Sequence, residues 1–296
     1  MTNDKQISAQ PRSRSRMHGF GESRRIDWVK ISLITVAIAY LALILFIPAL
    51  NVFIQAFRKG VGPFFNNLFE PTFLNAIKLT LICAGIAVPI NTLFGLCAAW
   101  AITRHKFRGR ALVLSLLDVP YAVSPVVAGL MLILLYGRNG WLGGFLKATD
   151  LQIIFTVPGM VLATVFVTLP FVVREVIPVL EEAGTDQEEA ARTLGASDWQ
   201  TFWRVTLPNI RWGLLYGIIL TNARAMGEFG AVSVVSGNII GKTQTLPLYV
   251  EEAYKQYETE AAYSAAVLLG LLAVVTLVLK EILERKTRIK QADDEL

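Results

Sequence analysis

Long apolar segments are the feature that most constrains this chain. A helix needs about 20 mostly apolar residues to cross roughly 30 Å of hydrocarbon, because lipid offers no partner to an unpaired backbone group. Of the 296 residues, 54% are hydrophobic and 17% are charged. The sequence therefore predicts an all-α integral membrane protein with six spans, at residues 31–53, 79–102, 111–136, 153–173, 212–235 and 261–279.

The basic residues predict how these spans are oriented. Lys and Arg number seven up to Lys30, four between the second and third spans, four from Arg174 to Arg211, and five after the last span, whereas the alternate loops hold two each. Because cytoplasmic loops are enriched in Lys and Arg, both termini and the loop after the fourth span are expected to be cytoplasmic. The net charge of +5 therefore suits membrane orientation better than nucleic acid.

The ends of the chain differ from its middle. Residues 1–27 are polar and basic and are expected to form a disordered cytoplasmic tail, and residues 283–296 form a second charged tail. Residues 28–282 are expected to be the transmembrane domain. Its first apolar run is too long for a signal peptide, and we interpret it as a mature helix.

The loop at residues 181–208 is the only long cytoplasmic loop. Its sequence predicts two short helices joined at Gly195, since glycine can take the left-handed conformation that ends a helix. Thr185 with Glu188 is typical of a capping box at the start of the first helix.

The second helix of this loop has a similar start. Ser197 with Gln200 predicts its capping box, and Pro208 is expected to limit it. Ala190 and Leu194 offer small and apolar surface on which another protein could dock. The alternative is a helix pair that lies on the lipid surface.

The loop contains Glu189, Ala190 and Ala191, then Gly195, and then Val205, Leu207 and Pro208. The spacing of these residues resembles that of the EAA loop of ABC importer permeases, in which this element docks on the ATPase. The resemblance assigns coupling to ten residues: Glu188, Glu189, Ala190, Ala191, Leu194, Gly195, Ala196, Val205, Leu207 and Pro208. From about residue 27 to 280 the chain is similar to W-type permeases of the sulfate/thiosulfate importer family. The similarity is carried by DVPYAVSPVVAGL from Asp118, PFVVREVIPV from Pro170, and RVTLPNIRWGLLYGIILTNARAMGEFGAVSVVSG from Arg204.

The resemblance implies a fold, a function and partners. The fold is a type I, molybdate/sulfate-like ABC permease in the bacterial inner membrane, and the function is import of sulfate or thiosulfate. The implied partners are a second, T-type permease, two ATPase subunits that bind ATP and Mg, an extracytoplasmic binding protein and membrane lipid. A molybdate or tungstate permease is the alternative, because RAMGEFGA from Arg224 is shared among oxyanion permeases.

Charged residues interrupt two of the apolar spans. Insertion of such a residue at mid-helix costs about 2.5–3.5 kcal/mol, so Asp118, Arg224 and Glu228 need partners. Arg224 and Glu228 are four residues apart and can pair on one helix face. Asp118 precedes Pro120 in a span that is expected to be kinked, and its partner is left open between a buried group of this chain, an arginine of a second permease and a cavity.

The same charges could serve transport. Arg224 would supply positive potential near the path of a divalent oxyanion, and the glycines of the segment Gly227, Glu228, Phe229 and Gly230 would let the backbone approach the ion. Asp118 joins these residues as a candidate for the path or gate. A proton-coupled carrier that uses Asp118, Arg224 and Glu228 as a relay is the rival from another class.

The sequence offers little for catalysis. Gly241, Lys242 and Thr243 form a GKT, but Ser236 stands where a phosphate-binding loop needs glycine. The two histidines, His18 and His105, show no metal-ligand spacing. We therefore expect a non-catalytic subunit without a cofactor or metal of its own, whose energy comes from a separate ATPase.

Overall fold

The computed structural model describes the backbone of residues 28–294 and the side chains of residues 28–279, 281 and 282. The predicted tail at residues 1–27 and the side chains of the tail at residues 283–296 lie outside the described residues. Between residues 28 and 294 all regular structure is helical. The helices are α1 Trp28–Ala56, α2 Val61–Leu68, α3 Pro71–Arg104, α4 Arg110–Ala122, α5 Pro125–Tyr136, α6 Gly143–Ala148, α7 Val157–Ala183, α8 Asp186–Thr193, α9 Asp198–Met226, α10 Gly230–Ser236, α11 Leu246–Lys255 and α12 Thr259–Asp294.

Four of these helices are long and apolar enough to cross a membrane: α1, α3, α7 and the Thr259–Leu279 part of α12. Two further candidates are bent pairs, since α4 and α5 meet at 109° and α9 and α10 meet at 51°. The described residues thus hold four spans, or six if each pair crosses as one. The expected kink after Asp118 is present, at the break before Pro125.

Three helices have boundaries that differ from those of the predicted spans. Helix α3 begins at Pro71, ahead of the predicted residue 79. Its first turns contain the polar residues Asn75 and Lys78, which interrupt the apolar run, but they are helical and bury Phe73 and Ala76. Helix α7 begins later and ends later than predicted, at Val157 and Ala183. Helix α9 begins at Asp198, within the long loop at residues 181–208. Apolar runs locate the hydrocarbon core, whereas helices extend beyond it wherever another element covers one face.

The described residues divide into two compact units, with the boundary between Ala49 and Leu50. Helix α1 makes up the described part of the first unit and is apolar on all sides. In the most apolar window of this helix, which has a mean hydropathy of 2.6, no residue is buried within the described chain. A helix of this kind requires lipid or another protein around it.

The core of the second unit forms where α3 and α9 pack against α7. Close approach depends on small residues. A Cβ added at Gly95 would lie 2.7 Å from Cβ of Val172, and one added at Gly213 would lie 2.6 Å from Cγ2 of Val179. Small residues let backbones of membrane helices approach closely, and this close packing supplies van der Waals attraction between them.

The two bent pairs contact each other at their bends. A Cβ on Gly230, which opens α10, would lie 2.8 Å from Cβ of Pro125, which opens α5. One turn further along α5, a Cβ on Gly129 would lie 2.9 Å from the carbonyl oxygen of Ala231. Helix α4 ends before Pro125 because a residue that precedes proline disfavours helical backbone. These contacts hold the segment from Gly227 to Gly230 against the break between α4 and α5.

Gly95→Ala should destabilise the protein by about 1–3 kcal/mol, because the added methyl overlaps Val172 in a tightly packed contact. Gly85→Ala in the same helix is the matched control, since no described atom lies within 4 Å of a methyl added there. Thermal unfolding in detergent measures both. A melting temperature for Gly95→Ala equal to that of Gly85→Ala would contradict the packing described for α3 and α7.

Candidate coupling loop and ion pairs of the spans

Two helices flank Gly195 in the long loop, as the sequence predicts. Helix α8 ends at Thr193, and Gly195 has a φ of +89°. The backbone amide of Gly195 donates to the carbonyl oxygen of Arg192 at 2.9 Å. The backbone amide of Ala196 donates to the carbonyl oxygen of Ala191 at 3.0 Å. The left-handed residue therefore reverses the chain and satisfies carbonyls at the end of α8.

One of the two predicted capping boxes forms. Gln200 donates its amide to Oγ of Ser197 at 3.3 Å, and Ser197 donates its amide to Oε1 of Gln200 at 3.0 Å. The box predicted for Thr185 and Glu188 is wrong. Among the described residues, the Thr185 side chain makes no capping hydrogen bond. The carboxylate of Glu188 is bonded elsewhere.

Pro208 does not end the second helix, contrary to the prediction. Helix α9 runs through it to Met226. A π-helical turn at Phe202–Thr206 ends two residues before the proline. An interior proline removes one backbone hydrogen bond and crowds the carbonyl four residues earlier, that of Arg204, and a widened turn there accommodates it.

The turn between α8 and α9 presents apolar surface. Leu194 is 89% exposed, Trp199 70% and Trp203 50%. The rings of Trp199 and Trp203 are in contact, with centroids 5.5 Å apart. Of the other residues assigned to coupling, Glu189, Ala190, Gly195 and Pro208 are exposed, and Ala191, Ala196, Val205 and Leu207 are half-buried.

Glu188 lies on the opposite side of α8, where Arg104 binds it. Arg104 donates from Nε to Oε2 at 3.0 Å and from Nη2 to Oε1 at 2.9 Å. It also donates to the carbonyl oxygens of Leu180, at 3.1 Å, and Gly184, at 2.8 Å, and Thr206 donates to Oε1 of Glu188 at 2.8 Å. The side chains of Arg104 and Glu188 are only 9% and 8% exposed. We call these five residues the Arg104 network.

Arg104 was not identified from the sequence. It is one of four basic residues in the stretch 104–110, and no fixed spacing relates it to Glu188. Its only distinguishing signal is its position as the last residue of a long apolar helix. Glu188 was assigned to coupling together with Glu189, but only Glu189 is on the exposed surface of α8.

The predicted pair of Arg224 and Glu228 is present, but the two do not share a helix face as expected, because α9 ends at Met226 and Glu228 lies in the break before α10. Nη1 of Arg224 lies 2.7 Å from Oε2 of Glu228, and Glu228 is 2% exposed. The other oxygen, Oε1, accepts from the amide of Ala231 at 2.9 Å and so bonds the start of α10. Oε2 has no well-aligned donor among the described residues, so its charge is neutralised mainly by proximity. Phe229, next along, is 37% exposed.

Asp118 pairs with Arg174 of α7, which the sequence did not indicate. Nε of Arg174 donates to Oδ1 of Asp118 at 2.9 Å, and its guanidinium lies 4.6 Å from the ring centroid of Tyr121. The partner belongs to this chain, but the two side chains are 45% and 53% exposed. The pair is therefore exposed on the surface that the described residues form.

Metal chemistry has no support in the part of the chain that the structure describes. No group of three or more His, Cys, Asp or Glu side chains there is arranged to hold a metal ion.

Arg224→Gln should lower stability by about 3–5 kcal/mol, because it leaves the buried Glu228 carboxylate without its cation. Lys255→Gln is the matched control, since Lys255 and Glu251 have the same four-residue spacing in an exposed pair. Thermal unfolding of the purified variants is the measurement. If Arg224→Gln unfolds at the same temperature as Lys255→Gln, the pair does not stabilise the fold.

The chain matches known proteins along most of its length. Residues 91–289 match the family described as the binding-protein-dependent transport system inner membrane component. The sulfate transport system permease protein CysW of Synechocystis sp. is 67% identical over 259 residues, which cover 88% of this chain and 94% of that protein. The sulfate transport system permease protein CysT of Escherichia coli (strain K12) is 38% identical over 230 residues, 78% of this chain and 83% of that protein.

A solved structure shows the same fold. A crystal structure of a bacterial alginate ABC transporter, in complex with an alginate pentasaccharide-bound periplasmic protein, contains a chain that is 18% identical, with a TM-score of 0.72. The match covers 88% of this chain and 94% of that chain. Because a family model matches residues 91–289 and a CysW protein is 67% identical over 88% of the chain, this chain belongs to the family of binding-protein-dependent transport system inner membrane components, among its CysW-type sulfate permeases.

Proposed function

We propose that this chain is a permease subunit of an ATP-driven importer of sulfate and thiosulfate. The observation that carries the proposal is the 67% identity to a sulfate transport system permease over 88% of the chain. The exposed coupling loop supports it, because a transporter without a nucleotide site of its own needs a surface on which an ATPase docks. The chain itself performs no catalysis in this proposal.

The ATPase side of the proposal rests on the loop. Two ATPase subunits, which hold ATP and Mg, would serve one permease each. Leu194, at 89% exposure, and the exposed Ala190 and Glu189 would form the contact. Closure of the ATPases around ATP would move the loop and with it the spans, so that the permeases alternate between outward-facing and inward-facing states.

A second, T-type permease would complete the path. Resemblance to CysT proteins shows that related permeases of a second kind exist. The half-exposed pair of Asp118 and Arg174 needs a cover other than lipid, and a paired permease with water between the two chains provides one. An extracytoplasmic sulfate-binding protein would deliver the ion, as a periplasmic protein is bound in the alginate transporter.

The ion path would run along the bent pairs. Asp118 and Arg224 lie there, with Gly227, Glu228, Phe229 and Gly230. Each arginine already has a carboxylate, Asp118 for Arg174 and Glu228 for Arg224, so neither is a free cation that would hold a divalent anion tightly. This suits a path that passes sulfate on and leaves high-affinity binding to a separate protein.

The topology follows from charge and helix count. Both bent pairs would count as single spans, which gives six, and the basic loops would place both termini in the cytoplasm of a bacterial cell with the protein in its inner membrane. Molybdate or tungstate as the substrate is not favoured, since the similar proteins are named as sulfate permeases.

Proteoliposomes that contain this chain, a T-type permease and ATPase subunits should import labelled sulfate only with ATP and the binding protein. Unlabelled thiosulfate should compete strongly, and molybdate should compete weakly. Uptake by this chain alone along a proton gradient would support the carrier alternative. Stronger competition by molybdate than by thiosulfate would support the molybdate alternative.

Gly195→Asp should leave insertion intact but reduce both binding-protein-stimulated ATP hydrolysis and sulfate uptake, because a side chain disfavours the left-handed turn and adds charge to the docking surface. Gly241→Asp is the matched control. Gly241 has a φ of +72°, and, like Gly195, no described atom lies within 4 Å of an added Cβ, but it is in a different loop. Equal effects of the two substitutions would mean that the turn at Gly195 has no special part in coupling.

A further inference from the structure

The Arg104 network connects the coupling loop to the spans. We propose that Arg104 is the residue that transmits movement of the loop to α3 and α7, and that it does so through Glu188 and Thr206. The inference rests on the proposed function, in which an ATPase moves this loop. It assigns a positioning role to a residue outside the EAA-like pattern.

The network joins four segments through the guanidinium of Arg104 and the carboxylate of Glu188. Arg104 is the last residue of α3, Leu180 and Gly184 are at the end of α7, Glu188 is in α8, and Thr206 is at the π-helical turn of α9. Carbonyls in the last turn of a helix lack intrahelical partners, so the donors of Arg104 satisfy groups that would otherwise need water. A shift of α8 therefore acts on the ends of two spans at the same time.

Burial makes this connection stiff. Both charged side chains are about nine-tenths buried, and three of the hydrogen bonds reach the same carboxylate. Hydrogen bonds are electrostatically stronger away from water, and a planar guanidinium holds several acceptors in fixed directions. Movement of α8 away from α3 would require loss of the Arg104–Glu188 hydrogen bonds together, so these two helices are expected to move as one body.

The exposed end of α8 is separate from this connection. Helix α8 has eight residues and is about 12 Å long at 1.5 Å per residue. Glu188 is in the first turn of α8, whereas Leu194 immediately follows the last residue of α8. Gln187 and Asn209 add a second link at the same end, with a side-chain hydrogen bond of 2.7 Å. One end of the short helix is thus fixed to the spans, and the other is free for an ATPase.

The test compares variants of this chain in the complete transporter, reconstituted in liposomes with labelled sulfate as substrate. Two quantities are measured for each variant: the ATPase subunit that co-purifies, and the sulfate imported per ATP hydrolysed. Arg104→Gln should retain the ATPase, since the exposed surface is unchanged, but lower the sulfate per ATP roughly tenfold. Arg110→Gln is the control, because Arg110 and Glu181 form an exposed pair next to the same loop, and its ratio should equal that of wild type.

Two further variants separate transmission from simple stability. Thr206→Val keeps the shape and removes one hydrogen bond to Glu188, and it should lower the ratio about twofold to fivefold. The double variant Arg104→Gln with Glu188→Gln removes both buried charges. It should retain the ATPase subunit, and its sulfate per ATP should stay as low as that of Arg104→Gln.

The outcomes are distinct. A wild-type ratio in the double variant would mean that Arg104 only neutralises Glu188, and it would overturn the inference. Unchanged ratios in both Arg104→Gln and Thr206→Val would also overturn it. Failure of the wild-type complex to import sulfate with ATP would instead contradict the proposed function.

Discussion

The absence of hydrogen-bonding partners in hydrocarbon determines most of this structure. Each polar group placed within a span must find its partner inside the protein. Asn91 shows this on α3, where its side-chain amide donates to Oγ1 of Thr168 at 2.7 Å and to the carbonyl oxygen of Val165 at 3.0 Å. Arg224 and Glu228 meet the same requirement with opposite charges. The sites that could serve transport are thus also the sites where polar groups must be paired.

Pairing limits what the charges can do to a passing anion. Glu228 makes two different contacts. One carboxylate oxygen pairs with Arg224, and the other accepts a hydrogen bond from the amide of Ala231 at the start of α10. The ion pair therefore fixes the break between α9 and α10. Gly230 at the same break contacts Pro125 of the other bent pair. A change in this ion pair would therefore act on both breaks through the backbone.

The end of the protein that carries the long loop has a different organisation. The loop after α7 exposes apolar side chains at its turn, with Leu194 and Trp199 foremost, and buries charge at its base. A loop that only connected two spans would have the opposite pattern. Burial of Glu188 against Arg104 holds the loop on the ends of α3 and α7, and exposure of the turn leaves a surface for a partner. A firmly attached loop with a free apolar end is suited to transfer motion from one protein to another.

Some features follow from the sequence alone because their causes are local. Apolar length predicts where the spans lie, the four-residue spacing predicts the pair of Arg224 and Glu228, and Gly195 predicts the turn in the loop. Other features depend on which helices become neighbours. Arg174 meets Asp118 from a different helix, and Arg104 takes the carboxylate of Glu188 that local rules assign to a capping box with Thr185. Tertiary packing decided these partners, because a buried or half-buried charge binds the strongest counter-charge within reach in space, and the distance along the chain does not limit that choice.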